Sequence, residues 1–291
     1  MAPWLDKRGA FAPFKTIVFT ALFVPGAWLA YEYLVRALGP RPIIEIVHES
    51  GLWAIRLLFI TLAVTPLRQA WRWPELIAVR RMTGLAALAY ASLHLVAYTA
   101  DQAFDLGKAA SEIVVRTYLT IGAAALVALV PLGVTSTQGM MRRLGGKRWR
   151  RLHQASYAIA LLAVVHFFWQ SKLDITEPVM MAGLYLWLMS WRLWHPPVAG
   201  RGVALATWLA AAALVSALLT SLGEAAYYHL RVGAKLERML DANLSLDAGI
   251  RPGWVVFAIC LAAAGVAVLR HALKRTAIGA TRSLGRGRAF L

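Results

Sequence analysis

The chain has 291 residues, of which 59% are hydrophobic and only 15% are charged, and its formal net charge is +17. A soluble globular domain is usually about half apolar and about a quarter charged, so this composition excludes an ordinary soluble enzyme. The apolar residues form blocks of about twenty, the length of a membrane-crossing helix, without the alternating pattern of a transmembrane barrel. The sequence predicts an all-α, polytopic transmembrane helix bundle.

Windows of about twenty apolar residues predict about eight spans. In chain order they cover residues 16–38, 51–66, 82–99, 117–134, 152–169, 178–194, 203–222 and 253–270.

Charge alternates between the loops that join these spans. The two termini and every second loop together hold 21 Lys and Arg with 2 acidic residues, whereas the remaining loops hold 8 with 11 acidic residues. Because basic loops stay on the cytoplasmic side, both termini are predicted to be cytoplasmic in a multi-pass protein of the inner membrane. The net charge therefore indicates topology and contact with membrane lipid headgroups, and we expect no nucleic-acid partner.

Three histidines lie inside the third and fifth predicted spans: His94, His153 and His166. Spans three and five run in the same direction, so depth can be compared from the arginines at their inner ends. His94 lies about 20 Å beyond Arg81, and His166 lies about 22 Å beyond Arg151. Both are predicted at one level toward the outer leaflet, whereas His153 lies near the inner face. The other histidines, His48, His195, His229 and His271, are predicted to be interfacial.

Two imidazoles at equal depth on neighbouring helices are what a six-coordinate b-type haem requires. A polar group at this depth is costly without a partner, so His94 and His166 are predicted haem ligands. His153 is a candidate ligand for a second, inner haem, although an ideal helix turns it about 140° away from His166. No fourth intramembrane histidine is available for that site. The alternative is that these histidines form interhelical hydrogen bonds or a proton path.

Two arginines are candidates for cofactor binding at the outer edge. Arg56 lies inside the second span and Arg116 precedes the fourth, and a guanidinium can pair with a haem propionate in bidentate geometry. Ordinary interfacial anchoring is the alternative for both.

Three stretches together resemble a known family. "LLFITLAVTPLR", "RRMTGLAALAYASLHLVAYTA" and "PLGVTSTQGMMRRLGGKRWRRLHQASYAIALLAVVHFFWQSK" look like the MsrQ family of haem-binding membrane subunits, within the ferric-reductase-like transmembrane group. The similarity covers roughly residues 15–195. It divides the chain into a six-helix ferric-reductase-like core at 1–195 and an extension at 196–291 with two further helices and a basic cytoplasmic tail.

The resemblance implies haem b ligation by His94, His153 and His166, with one or two haems, and FMN as a second cofactor. It implies electrons from the quinone pool of the respiratory chain or from a cytosolic flavin reductase. The acceptor it implies is a periplasmic molybdenum enzyme, MsrP-like, that reduces methionine sulfoxide in oxidised proteins. Sulfoxide reduction would then occur on the partner, and the chain itself would have no catalytic residue.

Two other functions are weighed against this one. The first is a quinol-linked cytochrome b that feeds a different acceptor. The second is a transporter whose histidines relay protons, although the sequence lacks the two similar halves that are common in transporters. The chain also lacks a strand-associated G-x-G-x-x-G, so it is not expected to take hydride from a nicotinamide cofactor alone.

Overall fold

A computed structural model of the protein describes residues 4–5, 9–194 and 202–287. Within these residues the chain is helical, and the only β-type pairing is an isolated bridge between Leu5 and Phe11. The α-helices are α1 Pro13–Ala21, α2 Val24–Leu34, α3 Pro42–Ala70, α4 Arg80–Asp101, α5 Leu106–Val115, α6 Thr117–Val134, α7 Gln138–Gln170, α8 Thr176–Trp194, α9 Gly202–Val232, α10 Leu236–Leu244 and α11 Pro252–Gly287. A short 3₁₀ helix covers Pro74–Ala78.

Seven segments of the described chain are long and apolar enough to cross a membrane. They correspond to seven of the eight predicted spans, and α1 and α2 together form the first. The predicted sixth span is α8, whose 19 residues would extend about 28 Å. Glu177 at its start and Arg192 near its end lower the hydropathy of α8 below that of the others. The protein is a multi-pass, all-α membrane protein.

The helix packing divides the chain into two units that differ from the predicted boundary at residue 195. Unit 1 comprises residues 1–64 and 75–172, and unit 2 comprises residues 65–74 and 173–291. The last turns of α3 therefore belong with α8 to α11, because the turn after α3 packs against α11.

In unit 1, α6 packs along α7 and against α4, while the short helix α5 packs on α6. The break between α1 and α2 is bridged by Tyr90 of α4. The Tyr90 hydroxyl donates to the carbonyl of Leu22, 3.0 Å away, and accepts from the amide of Gly26 at 2.8 Å. In hydrocarbon a backbone group without a partner costs several kcal/mol, so this one side chain stabilises the break.

In unit 2, α9 packs along α11 and against α8, and α10 covers α9. A Cβ at Gly183 would lie 2.0 Å from Thr220 Oγ1, so only glycine lets α8 approach α9 this closely. Arg251 holds the region around α10 by pairing with the fully buried Glu224 and by donating to Asn243 Oδ1 at 3.1 Å.

Several helices extend beyond the predicted spans. The second span was expected to begin near residue 51, whereas α3 begins at Pro42. The fifth was expected to begin near 152, whereas α7 begins at Gln138 and is interrupted at Gly145, where φ is 72°. Hydropathy detects only the apolar part of a helix, because a helix satisfies its own backbone hydrogen bonds and can continue into the polar interface.

Candidate functional site

The structure brings His94 and His166 together, as their predicted depths required. The centres of the two imidazole rings lie 6.2 Å apart, and the ring planes are nearly perpendicular at 84°. His94 projects from α4 and His166 from α7, and both side chains are half-buried. The pair lies wholly within unit 1.

Each ring is held by one backbone carbonyl. His94 Nδ1 lies 2.7 Å from the carbonyl oxygen of Val47 on α3, and His166 Nδ1 lies 2.7 Å from that of Tyr118 on α6. A carbonyl oxygen only accepts, so Nδ1 must carry the proton in both rings. The bare lone pair of each ring is therefore on Nε2, the atom available to a metal.

A glycine makes room for each ring, four residues after the carbonyl that holds it. A Cβ added at Gly51 would lie 2.8 Å from His94 Nδ1, and one at Gly122 would lie 2.7 Å from His166 Cε1. Both distances are far inside normal carbon contact of about 3.5–4.0 Å. The same arrangement, a carbonyl followed by glycine one helical turn later, thus serves both histidines.

The residues of this site fit a haem iron with two axial imidazoles. Metal–imidazole bonds of about 2 Å on opposite sides of an iron place the two ring centres about 6 Å apart. The separation in this structure is 6.2 Å. A metal-bound histidine commonly donates its other ring N–H to a carbonyl, which fixes the tautomer and raises the basicity of the ligand. Both histidines do so here.

His153 lies apart from this pair, 13 residues earlier on α7. Its ring stacks on Trp149 with centres 3.9 Å apart, and its Nδ1 lies 3.1 Å from the Trp149 carbonyl. Trp149 is in turn anchored to the end of α6, because its indole nitrogen donates to the carbonyl of Thr135 at 2.9 Å. The Nε2 of His153 is buried and makes no hydrogen bond within the described chain. A second ligand site could therefore form at this nitrogen.

The two candidate arginines lie at different positions in their helices. Arg116 is at the N-cap of α6, exposed, and paired with Glu112. The Tyr118 hydroxyl and the Glu112 carboxylate raise the pKa of the Arg116 guanidinium, so it is charged at any physiological pH. Arg56 stacks over Trp53 at 5.3 Å and lies in the middle of α3 rather than a few residues from its outer end. Because α3 begins nine residues before the predicted second span, Arg56 lies further from the start of its helix than the span suggested.

The other histidines do not join the site. His48 is exposed, although it belongs to α3 and not to a loop. His229 belongs to α9, and its Nδ1 lies 2.8 Å from the carbonyl of Ala234. His271 of α11 bonds to the carbonyl of Ala267 at 2.8 Å, and His195 lies outside the described residues.

Sequence reasoning missed the groups that orient the ligands. The carbonyls of Val47 and Tyr118 are backbone atoms, which no sequence pattern distinguishes. Gly51 and Gly122 were visible as small residues in apolar spans. Their role becomes clear only in the structure, where α3 and α6 face the histidines. Each glycine then lies four residues after the carbonyl that bonds a histidine.

Comparison with known proteins defines the class first. Residues 50–164 match the family described as ferric reductase like transmembrane component. This range contains His94, His153, Gly51 and Gly122, and it ends two residues before His166. No solved structure matches the chain at a significant level.

Curated relatives then identify the family within that class. The protein-methionine-sulfoxide reductase heme-binding subunit MsrQ of Xanthomonas campestris pv. campestris (strain 8004) is 48% identical over 197 residues, which cover 65% of this chain and 90% of the relative. The subunit of the same name from Rhodospirillum rubrum is 45% identical over 189 residues, or 65% of this chain and 88% of the relative. The chain belongs to the MsrQ family, as the sequence motifs predicted.

Proposed function

We propose that the protein is an inner-membrane haem b subunit that passes electrons to a periplasmic, MsrP-like methionine sulfoxide reductase for the repair of oxidised proteins. The observation that carries the proposal is the His94–His166 pair, with ring centres 6.2 Å apart and both Nδ1 atoms bonded to carbonyls. A haem bound there would supply one-electron transfer across the outer half of the membrane.

The residues of the chain have distinct roles in this proposal. His94 and His166 present Nε2 as ligand atoms, and Gly51 and Gly122 leave the space that both rings need. His153 presents its buried Nε2 on the opposite side of the membrane, where it is the candidate ligand of an inner haem. FMN enters the proposal through the family alone, since no contact in the described chain points to a flavin.

The orientation follows from charge. With α8 counted as a span, eight crossings leave both termini in the cytoplasm, on the side of the 21 basic residues. The segment between α6 and the middle of α7 is the most basic inner segment, so a cytoplasmic flavin reductase would donate on this side. The periplasmic partner would then meet the acidic loop around α5 near His94 and His166.

A spectrum and a reoxidation assay test the function. We expect the purified protein to show a low-spin haem b spectrum in its reduced-minus-oxidised difference. In vesicles, the reduced haem should be reoxidised when the periplasmic partner and methionine sulfoxide are added outside. The absence of a haem spectrum would refute every cytochrome function and favour a transporter. A haem that is not reoxidised by this partner would point to a different acceptor.

The role of His153 gives an asymmetric prediction. In vesicles supplied inside with a flavin reductase, FMN and a reduced nicotinamide, His153→Ala should slow reduction of the haem at His94 and His166 by about tenfold or more, because a ligand on the path is lost. The rate of reoxidation by the periplasmic partner, after chemical reduction with dithionite, should be unchanged. Stopped-flow absorbance measures both rates.

Gln154→Ala is the matched control, since Gln154 is the exposed neighbour of His153 on α7. It should leave both rates unchanged. If the haem of the His153→Ala variant were reduced by the donor as fast as that of the Gln154→Ala control, His153 would be an interfacial residue and no inner relay would pass through it.

The two arginines give a prediction about redox potential. A nearby cation stabilises the reduced haem, so we expect Arg56→Gln to lower the midpoint potential by up to about 60 mV, one tenfold change for a one-electron couple. Arg116→Gln should have a smaller effect, because Glu112 already offsets the charge of Arg116. Potentiometric titration of the haem measures both shifts. Unchanged potential and full haem content in both variants would assign the arginines to interfacial anchoring.

A quinol-linked cytochrome b is the second candidate, and a cavity in unit 1 favours it. The cavity has a volume of about 560 Å³, is almost entirely apolar, and is bounded by α1, α2, α3 and α4. Two carboxylates, Glu32 and Glu49, are among its lining residues. An apolar cavity with a few polar groups suits a lipid-soluble ring that releases protons when it is oxidised.

Direct reduction distinguishes the two donors. A quinol analogue added to the purified protein should reduce the haem if the cavity is the point of entry, and Glu49→Gln should slow that reduction. If the flavin reductase reduces the haem and the quinol analogue does not, the cytosolic donor is the correct one.

A further inference from the structure

The turn after α3 fixes one arginine of α11 from two sides. Trp71 Nε1 donates to the carbonyl of Ala263 at 2.8 Å, which attaches residues 71–74 to α11. Arg270 Nε donates to the carbonyl of Trp71 at 2.9 Å, and its guanidinium lies 4.9 Å from the centre of the Trp73 ring. The Arg270 side chain is therefore held in place by a hydrogen bond from its Nε and by the face of the Trp73 ring.

A second arginine flanks the same turn. The carbonyl of Arg68 accepts a hydrogen bond from the amide of Trp73 at 3.1 Å, so Arg68 lies at the start of this turn. The Nε of Arg68 is buried and has no hydrogen-bond partner within the described chain. We call Arg68, Trp71, Trp73 and Arg270 the tryptophan corner. All four residues belong to unit 2.

The segments of unit 2 that form this corner contain no carboxylate, and the nearest one along the chain is the exposed Glu75, directly after the turn. Every Asp and Glu of unit 2 falls in residues 174–177 or 224–247, and residues 65–74 and 252–291 contain none. The carboxylates therefore belong to the end of the unit where Arg251 pairs with Glu224. Arg270 lies 19 residues further along α11, about 28 Å away. Within the described part of unit 2, the two arginines of the corner therefore have no carboxylate partner among the segments that form it.

We propose that the tryptophan corner binds the phosphate of an anionic phospholipid headgroup. A guanidinium donates two parallel hydrogen bonds to a phosphate, and a preoriented one loses little entropy on binding. The corner lies at the end of a membrane-crossing segment of α11, Pro252–Leu273. Tryptophans concentrate at the headgroup level of a bilayer, and basic pockets between helices at the cytoplasmic face bind such headgroups. A lipid phosphate satisfies both conditions, whereas a soluble phosphate would not need the tryptophans.

Lipid binding to the purified full-length protein tests the proposal without reference to haem. The delipidated protein in detergent is titrated with phosphatidylglycerol or phosphatidylcholine, and bound lipid is counted by native mass spectrometry. We expect tight binding of one phosphatidylglycerol and no comparable binding of phosphatidylcholine. Arg270→Gln and Arg68→Gln should each weaken phosphatidylglycerol binding by about tenfold or more. Arg270→Lys keeps the charge but loses the planar guanidinium group. Its affinity for phosphatidylglycerol should lie between those of the glutamine variants and the wild type.

The control is Arg142→Gln, which removes the same charge from an exposed position on α7 and should leave lipid binding unchanged. Helix content by circular dichroism identifies any variant that has not folded, and Arg68→Gln and Arg270→Lys keep the test valid if Arg270→Gln fails. Equal binding of phosphatidylglycerol by Arg270→Gln and Arg142→Gln would overturn the proposal. Equal affinity for both lipids would do so as well. Displacement of the lipid by millimolar inorganic phosphate would instead identify a site for free anions and would also overturn it.

Discussion

His94→Ala and His166→Ala are each expected to remove the low-spin haem spectrum of the purified protein. Each substitution deletes one of two imidazoles whose ring centres lie 6.2 Å apart, so the remaining ring has no opposite partner for an iron between them. Even residues that only orient a metal ligand are worth about 10–100-fold in metal affinity, and the loss of a ligand should exceed that. Haem content per protein and electron paramagnetic resonance measure the effect.

The controls for this experiment are His48→Ala, His195→Ala, His229→Ala and His271→Ala, which should all retain the spectrum. His48 is the most demanding control, because it precedes Gly51 on α3 by less than one turn and is exposed. A normal low-spin spectrum in both His94→Ala and His166→Ala would end the ligand assignment. A lost spectrum in His48→Ala as well would show that the end of α3, and not the histidine pair, decides haem retention.

Gly51→Ala and Gly122→Ala are expected to disturb the haem without changing a ligand. The added Cβ would lie within 2.8 Å of His94 Nδ1 or 2.7 Å of His166 Cε1, so each ring must move away from its carbonyl. Loss of that hydrogen bond should lower haem affinity by about 10–100-fold and should shift the midpoint potential. Valine at either position should have a larger effect than alanine, since it adds two further carbons. Haem titration of the apoprotein and potentiometry give both quantities.

Gly265→Ala is the matched control, because Gly265 lies in membrane-crossing α11 and a Cβ there would meet nothing within 4 Å. Alanine at a helical position that has room should raise the free energy of unfolding by about 0.4–1 kcal/mol. It should therefore stabilise the protein and leave haem binding unchanged. If Gly51→Ala and Gly122→Ala bound haem as tightly as Gly265→Ala, the rings would have space that the structure does not contain.

Much of the fold follows from the sequence, because a bilayer leaves few choices to a chain of apolar twenty-residue blocks. The helical class and the family are confirmed, and the two histidines predicted at equal depth do lie beside each other. Depth could be predicted because a helix rises by a constant amount per residue from a basic end that stays at the interface.

The remainder could not be predicted, for physical reasons that particular residues illustrate. The start of α3 was not predicted, because the polar turns that include Glu45 and His48 extend the helix beyond its apolar part. The grouping of residues 65–74 with α11 depends on the hydrogen bond from Trp71 to Ala263, two residues 192 positions apart in the chain. Long-range contacts of this kind leave no local pattern.

The carbonyl bonds of His94 and His166 also affect how the protein could change by mutation. Because the acceptors are main-chain oxygens of Val47 and Tyr118, any residue that keeps α3 and α6 helical at these positions preserves the bonds. Substitution at position 47 is therefore nearly neutral for ligand orientation, whereas the Tyr118 ring also stacks on His166 with centres 6.4 Å apart, and each neighbouring glycine tolerates no larger side chain. Directed evolution of the redox potential would therefore act through the glycines, through helix displacement or through the propionate environment, since no single side-chain replacement removes either carbonyl oxygen.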